Sequence, residues 1–296
     1  MQSRPLPKQA ILIVNAASRT GADAFAEACE KLAAASIELL ESQAVEDPEG
    51  IDPAVKSAVK RAPMVIVGGG DGSLSSAVDF FLGTDTILAV LPLGTANSFA
   101  RTLGIPLDLD GAIDVIANGH GRSIDVGCIN GDYFLNVAAL GLAPEVAGHM
   151  PHGLKRTLGR LGYLLWAGWS AANFNAFQLK VDDGRRIHRL WATEVRIANG
   201  RFHGGMELIE SADVESGEIV VQAVRGRSVV RLAWSYFASA LKLQSRHQTV
   251  REFRGRKLIV STRPRVEVSI DGEVAARTPL EVRAVPDAVT VAAPRE

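Results

Sequence analysis

Residues 65–74, VIVGGGDGSL, join an apolar run of strand length to an amphipathic segment through four glycines in five positions. The apolar side carries no charge, as expected of a strand buried on both faces of a helix-covered parallel sheet. On the other side, Leu74, Ala77, Val78, Phe81 and Leu82 form the i, i+3, i+4, i+7, i+8 stripe of a helix lying on that sheet. Glycines let backbone N–H groups approach a phosphate, and a helix N-terminus adds partial positive charge. A tight strand-to-helix turn needs fewer glycines, so Gly68, Gly69, Gly70, Gly72 and Ser73 read as a phosphate cradle. Asp71 would repel a bare pyrophosphate; it fits if Mg²⁺ shares the site or if it orients a group that does.

The surrounding pattern agrees. Ile11–Val14, Ile37–Leu40, Met64–Val67 and Ile87–Leu91 are strand-length apolar runs. Ala22–Ala35, Pro53–Arg61, Leu74–Leu82 and Leu109–Ala117 carry helical patterns around them. Strand and helix in alternation predict a parallel α/β sheet over the first ~125 residues. Beyond Ser123 the runs are short and β-rich: Tyr133–Val137, Phe177–Val181, Glu194–Ala198, Glu218–Val224, Lys257–Val260, Val266–Ile270 and Leu280–Val285. Turn pairs such as Asn130-Gly131, Asp183-Gly184 and Asp271-Gly272 separate them, which predicts an antiparallel sandwich or barrel with one or two helical insertions. The fold class is therefore α/β plus β. The expected division is residues 8–126 and 127–296, the last strand being free to return to the first domain.

A second glycine turn follows the Ile87–Leu91 run: Pro92-Leu-Gly94-Thr95-Ala-Asn97-Ser98-Phe-Ala-Arg101. It too falls at the carboxyl end of a parallel strand, where open α/β sheets bind ligands. Thr95 and Asn97 can bond phosphate or ribose; the plainer reading makes Asn97 or Ser98 a helix N-cap. The dinucleotide fingerprint fits poorly, because Ser73 stands where its third glycine belongs, and no Walker motif occurs.

Together the two loops resemble the diacylglycerol kinase catalytic-domain family, which includes bacterial lipid kinases and sphingosine kinases. Asn15–Gly21, Ser123–Gly127 with Tyr133–Gly141, Asn199–Gly217 and Val268–Glu273 extend the resemblance over roughly residues 10–293. It implies a nucleotide-binding α/β domain, a C-terminal β-sandwich and an active site in the cleft between. Carried over by position, Asn15, Gly69, Asp71, Gly72, Ser73 and Thr95 would hold ATP, with Ser42 or Gln43 filling a further contact at the end of the second strand. Glu273 would be the catalytic carboxylate, aided by Asp71. Read without the family, Glu273 merely follows the Asp271-Gly272 turn. Three positions depart from the family: Ala16 replaces a usual proline, Ser98 a usual aspartate, and Ser216 the aspartate of an accessory metal site, at which Asp213 and Glu218 could partly substitute. The expected reaction is transfer of the ATP γ-phosphoryl group to a hydroxyl of a diacylglycerol-like or sphingoid lipid, with Mg²⁺. The alternatives are a soluble NAD-kinase-like enzyme, which shares the Gly-Gly-Asp-Gly loop, and a weakly catalytic nucleotide- or lipid-binding sensor.

Charge and cysteines narrow the partners. The formal net charge is −1, yet residues 225–265 hold eleven Lys or Arg against one acid, Glu252. Such asymmetry points to an anionic partner. With no nucleic-acid reader motif present, an anionic membrane surface is expected, touched by Arg231, Trp234 and Lys242 on an interfacial helix or, equally, a solvated face of a packed one. Two distant cysteines, Cys29 and Cys128, give no disulfide framework and suit a reducing compartment. The N-terminus carries no apolar core of signal-peptide length, and the charge-free run Leu161–Leu179 is too polar to cross a membrane. A cytoplasmic, peripherally membrane-associated protein is expected, with a homodimer left open. His149, His152 and His203 show no ligand spacing and read as ordinary surface or rim residues.

Overall fold

A computed structural model describes residues 4–17, 19–141, 174–227, 232, 249–270 and 273–295. After a short β1 (Arg4–Pro5), the chain runs β2 (Gln9–Asn15), α1 (Arg19–Ala34), β3 (Glu38–Val45), α2 (Ile51–Ala58), β4 (Met64–Gly69), α3 (Asp71–Val78), β5 (Ile87–Pro92), α4 (Ser98–Leu103) and α5 (Leu109–Asn118). Strands β3, β2, β4 and β5 pair in that order, all parallel. Every residue of β4 and β5 is buried, because helices cover both faces. Leu74, Ala77 and Val78 of α3 and Ala112, Ile113, Val115 and Ile116 of α5 face the same core.

The remainder is antiparallel: β6 (His120–Ile129), β7 (Asp132–Phe134), β8 (Val137–Gly141), β9 (Phe177–Asp182), β10 (Ile187–Ala198), β11 (Phe202–His203), β12 (Met206–Glu207), β13 (Ile219–Arg225), β14 (Val250–Gly255), β15 (Lys257–Arg263), β16 (Glu267–Ile270), β17 (Glu273–Arg277) and β18 (Leu280–Ala293). Strand β10 belongs to two layers. Its first half pairs with β9, and after a register shift between Ala192 and Glu194 its second half lies between β8 and β13. One layer is β17-β16-β8-β10-β13-β14 and the other β10-β9-β15-β18-β6. Phe134, Leu140, Phe177, Val195, Val221, Leu258 and Val282 fill the core between them, which makes this half a sandwich. Strand β18 follows β6 along most of its length and ends in parallel register with β5, Val291 opposite Leu88.

Two strand expectations are corrected. The run Tyr133–Val137 is not one strand: it breaks at Leu135-Asn136, where Asn136 turns inward. Its carbonyl accepts the N–H groups of Asn199 and Gly200, and its Oδ1 accepts the Thr102 hydroxyl at 2.9 Å. The second parallel strand extends to Val45 rather than ending at Leu40, through an exposed polar stretch that its edge position tolerates. Of the charge-free run, residues 161–173 lie outside the described residues and Phe177–Leu179 belong to β9. No helix among the described residues is long and apolar enough to cross a membrane.

Candidate nucleotide site

The two glycine turns lie side by side at the carboxyl ends of β4 and β5. A Cβ placed on Gly94 would fall 2.4 Å from the Cα of Gly70, so the backbones meet where side chains cannot fit. The N–H of Leu93 donates to the Gly69 carbonyl at 3.0 Å, tying the turns together. Asn15, at the end of β2, donates from Nδ2 to Ser73 Oγ at 2.9 Å and accepts from the Ala17 N–H at 3.1 Å. Asn15, Gly68, Gly69, Gly70, Ser73 and Gly94 are therefore assembled within one constellation.

At its start α3 is bare. Gly70 is the N-cap, which brings no side chain to cap the helix, and among the described residues no side chain bonds to the free N–H groups of the first turn. Gly72, in that turn, has no atom within 4 Å of where a Cβ would stand. Neither packing nor a positive φ demands glycine there, although glycine weakens a helix. Open space over uncapped donors suits a phosphate chain, and in this respect the residues present fit a bound nucleotide.

Across the junction, the second turn is closed. Asn97 adopts a left-handed conformation (φ 47°) and directs its amide into its own loop. Its Oδ1 accepts from Gly94 N–H at 2.9 Å, and its Nδ2 donates to the Gly94 carbonyl at 2.8 Å. Asn97 thus braces the loop and does not cap α4. That cap comes from Asp71, whose two carboxylate oxygens accept the N–H groups of Ser98 and Phe99, each at 3.0 Å. The sequence suggested that Asp71 orients metal or phosphate; the structure has it hold the second turn against the first. Thr95 is exposed at the loop tip. Ser98, where the family usually has aspartate, is buried and accepts the N–H of Gly205 at 3.0 Å, linking α4 to the turn between β11 and β12.

Ser42 is not where the sequence suggested. It lies in the middle of β3 opposite Leu12, whereas Val45 is the residue opposite Asn15. Three residues of strand put it about 10 Å short of the loop end. Glu273 is placed by backbone register alone. Ile197 pairs with Ala138, Ala138 with Ile270 and Ile270 with Glu273, so Glu273 sits level with the end of β10. That end leads into residues 199–205, which reach the second glycine turn. Arg231, Trp234 and Lys242 lie outside the described residues.

The accessory metal site does not fit. Ser216 Oγ donates to the Asp213 carbonyl at 2.8 Å and accepts from Glu218 N–H at 3.3 Å. Asp213 Oδ1 accepts from Glu215 N–H at 3.0 Å. Buried Asp125 holds the loop from below, accepting from Gly217 N–H at 2.5 Å and Asp287 N–H at 3.1 Å. A hydroxyl and a buried carboxylate close this loop, and among the described residues no three His, Cys, Asp or Glu converge as a metal-binding group.

One residue beside the site escaped the sequence reading. His203 sits on β11, next to the Gly204-Gly205 turn. Burial first, then Arg196, pull its pKa below the ordinary 6.5, while Glu194 and Asp71 push the other way. Nothing in its spacing marked it, because its neighbours come from β10 and α3. Glu194 and Arg196 are fully buried and paired at 2.7 Å, with Gln222 accepting from Arg196 at 2.9 Å.

Paired glycine turns at the edge of a parallel sheet, backed by a β-sandwich, define an α/β layer joined to a second, all-β unit. The sequence matches the diacylglycerol kinase catalytic domain over residues 9–129 and the YegS C-terminal NAD kinase β-sandwich-like domain over residues 137–293. The chain belongs to the diacylglycerol kinase catalytic-domain family, a family of lipid kinases, phosphotransferases with an alcohol group as acceptor. It is 26% identical over 236 residues to a Staphylococcus aureus diacylglycerol kinase, covering 79% of this chain and 75% of that one. An uncharacterised Synechocystis protein is 27% identical over 238 residues, covering 78% of this chain but only about half, 55%, of its own length. A solved Bacillus anthracis structure superposes with a TM-score of 0.81 at 24% identity, covering 97% of both chains. A diacylglycerol kinase structure from the same organism gives 0.76 at 20% identity, covering 99% and 98%. At these identities the structures establish the fold.

Proposed function

We propose that this chain transfers the γ-phosphoryl group of ATP to a hydroxyl of a diacylglycerol-like or sphingoid lipid. The observation that carries this is the uncapped start of α3, with open space over Gly72, beside a second turn locked in place by Asp71. The N–H groups of residues 71–73 would hold the phosphates, with the Gly94-Thr95 turn walling the site and exposed Thr95 at its tip beside them, and Asn15 would fix Ser73. Mg²⁺ bound with ATP would neutralise charge developing on the transferred group. Asp71 is assigned a positioning role through α4, and Glu273 the role of taking the proton from the lipid hydroxyl. An ordinary Glu titrates near ~4.3, so this base requires burial or a neighbouring carboxylate to work at neutral pH.

Labelled ATP offered with diacylglycerol, ceramide, sphingosine and NAD tests the reading. Labelled lipid supports it; label in NAD alone points to a soluble cofactor kinase, and no labelled product points to a sensor. Glu273→Gln should abolish turnover while leaving ATP affinity unchanged, and a wild-type rate would remove Glu273 from the mechanism.

A further inference from the structure

Strands β9, β10 and β15 present one outward face on which side chains form cross-strand rows. Arg189, Lys180 and Ser261 make one row, and Trp191, Gln178 and Arg263 the next. These residues line a concavity of about 610 Å³. Lys180 and Arg189 stand directly opposite each other, an arrangement that is unfavourable unless something anionic lies over it. Neither they nor Arg263 has an ion pair or side-chain hydrogen bond among the described residues. The acids of this face are engaged elsewhere: Asp182 accepts from Gly184 N–H at 3.0 Å, and Glu281 pairs with Lys257 at 2.8 Å. A third row adds apolar surface, with Ile187 and Ile259 both opposite Asp182 and 47% and 42% exposed.

We propose that this face docks the protein on an anionic phospholipid bilayer, the lipid head groups seated over Lys180, Arg189 and Arg263 while Ile187 and Ile259 enter the interface. The choice of a bilayer rests on the lipid-kinase reading, which requires a substrate held in a membrane. Two observations favour it over a nucleic acid or a second copy of this chain. Trp191, the aromatic residue of this concavity, already carries Arg227 over its ring, the guanidinium carbon 3.8 Å from the centroid, so that ring face is taken and not open to stack a base. A second copy of the same face would bring like charges together. Basic groups beside exposed aliphatic ones are what an interfacial surface needs.

The test uses the full chain sedimented with vesicles of phosphatidylcholine alone or with one-third phosphatidylglycerol, for wild type, Lys180→Glu/Arg189→Glu and Ile187→Ser/Ile259→Ser. Wild type should prefer the anionic vesicles. At about fivefold for each cation removed, the charge variant should bind them at least ~25-fold more weakly. The isoleucine variant should lose binding to both vesicle types. Melting temperature and ATP affinity should not change, since none of these residues belongs to the nucleotide site. Equal partition of wild type and charge variant overturns the proposal, as does wild type that binds RNA or heparin but not anionic vesicles. Phosphorylation of lipid dispersed in detergent micelles separates the two readings. Its absence in wild type that still binds anionic vesicles in a charge-dependent way removes the kinase reading and leaves the surface; its presence alongside charge-insensitive vesicle binding removes the surface alone.

Discussion

The two glycine turns look alike in sequence, each an apolar strand, a bend containing glycine and the start of a helix, yet they are built for different work. At the first, α3 begins without a side-chain cap and Gly72 faces open space. At the second, Asn97 fills its own loop and Asp71 reaches across to cap α4 with both oxygens. One turn leaves donors free for a ligand; the other engages the N–H groups of Gly94, Ser98 and Phe99 internally and serves as a wall. A strand–glycine–helix signature therefore locates the carboxyl edge of the sheet without saying which turn has donors free for a ligand. The count of satisfied N–H groups separates them.

Gly94→Ala should break the arrangement most severely. Its Cβ would lie 2.4 Å from the Gly70 Cα, a backbone atom that cannot rotate away. The turns would have to separate, at a cost of ~3 kcal/mol or more, the upper range for overpacking. A urea denaturation midpoint near wild type would show that the turns do not need their close contact. Asp71→Asn comes next. Hydrogen bonds to a charged group contribute ~1.5–3 kcal/mol each, and an amide can keep one acceptor while turning its NH₂ toward the other N–H. A loss of about 2–3 kcal/mol is expected even without nucleotide. A carboxylate acting only on metal or phosphate would leave the apo-protein midpoint unmoved, so the stability measurement decides between the two roles of Asp71.

Gly72→Ala should act with opposite signs on stability and binding. Alanine in the first turn should stabilise the fold by about 0.5 kcal/mol, because glycine loses more backbone freedom on folding. The same methyl would stand in the space left for phosphate, and ATP affinity, read by titration calorimetry, should fall about tenfold or more, the scale of a modest packing clash in free energy. Unchanged affinity would show that the open space over α3 is not where the nucleotide lies.

What the sequence disclosed follows from how local each feature is. The strands β4 and β5 were legible because burial on both faces leaves an unbroken apolar run. The far half of β3 was not, since an edge strand carries Glu41, Ser42 and Gln43 without penalty; the misplacement of Ser42 came from that. The glycine turns were visible as turns at the carboxyl edge of the sheet, but the reach of Asp71 to α4 depends on how two turns 27 residues apart meet. The loop at Asp213–Glu218 kept its spacing while Ser216 and Asp125 supplied hydrogen bonds in place of ligands. Asp125 is contributed by β6, far away in the chain.

His203 offers the smallest and most specific probe of the closed turn. It occupies the turn whose Gly205 bonds to Ser98, and burial holds its pKa below the ordinary 6.5. The unfolded chain therefore binds a proton that the folded protein resists, and stability rises with pH wherever that difference exists. The contribution is fully present above pH ~6.5, and is lost as pH falls from there through the depressed folded value. His203→Gln should remove this component, so that urea midpoints from pH 7 to 5 fall less steeply than in wild type. Asp71 is among the groups that raise the pKa of His203, so its conversion to Asn should carry the titration lower and widen the window of acid sensitivity. A wild-type pH profile in both variants would mean that His203 titrates as an exposed residue, uncoupled from the wall that Asp71 builds.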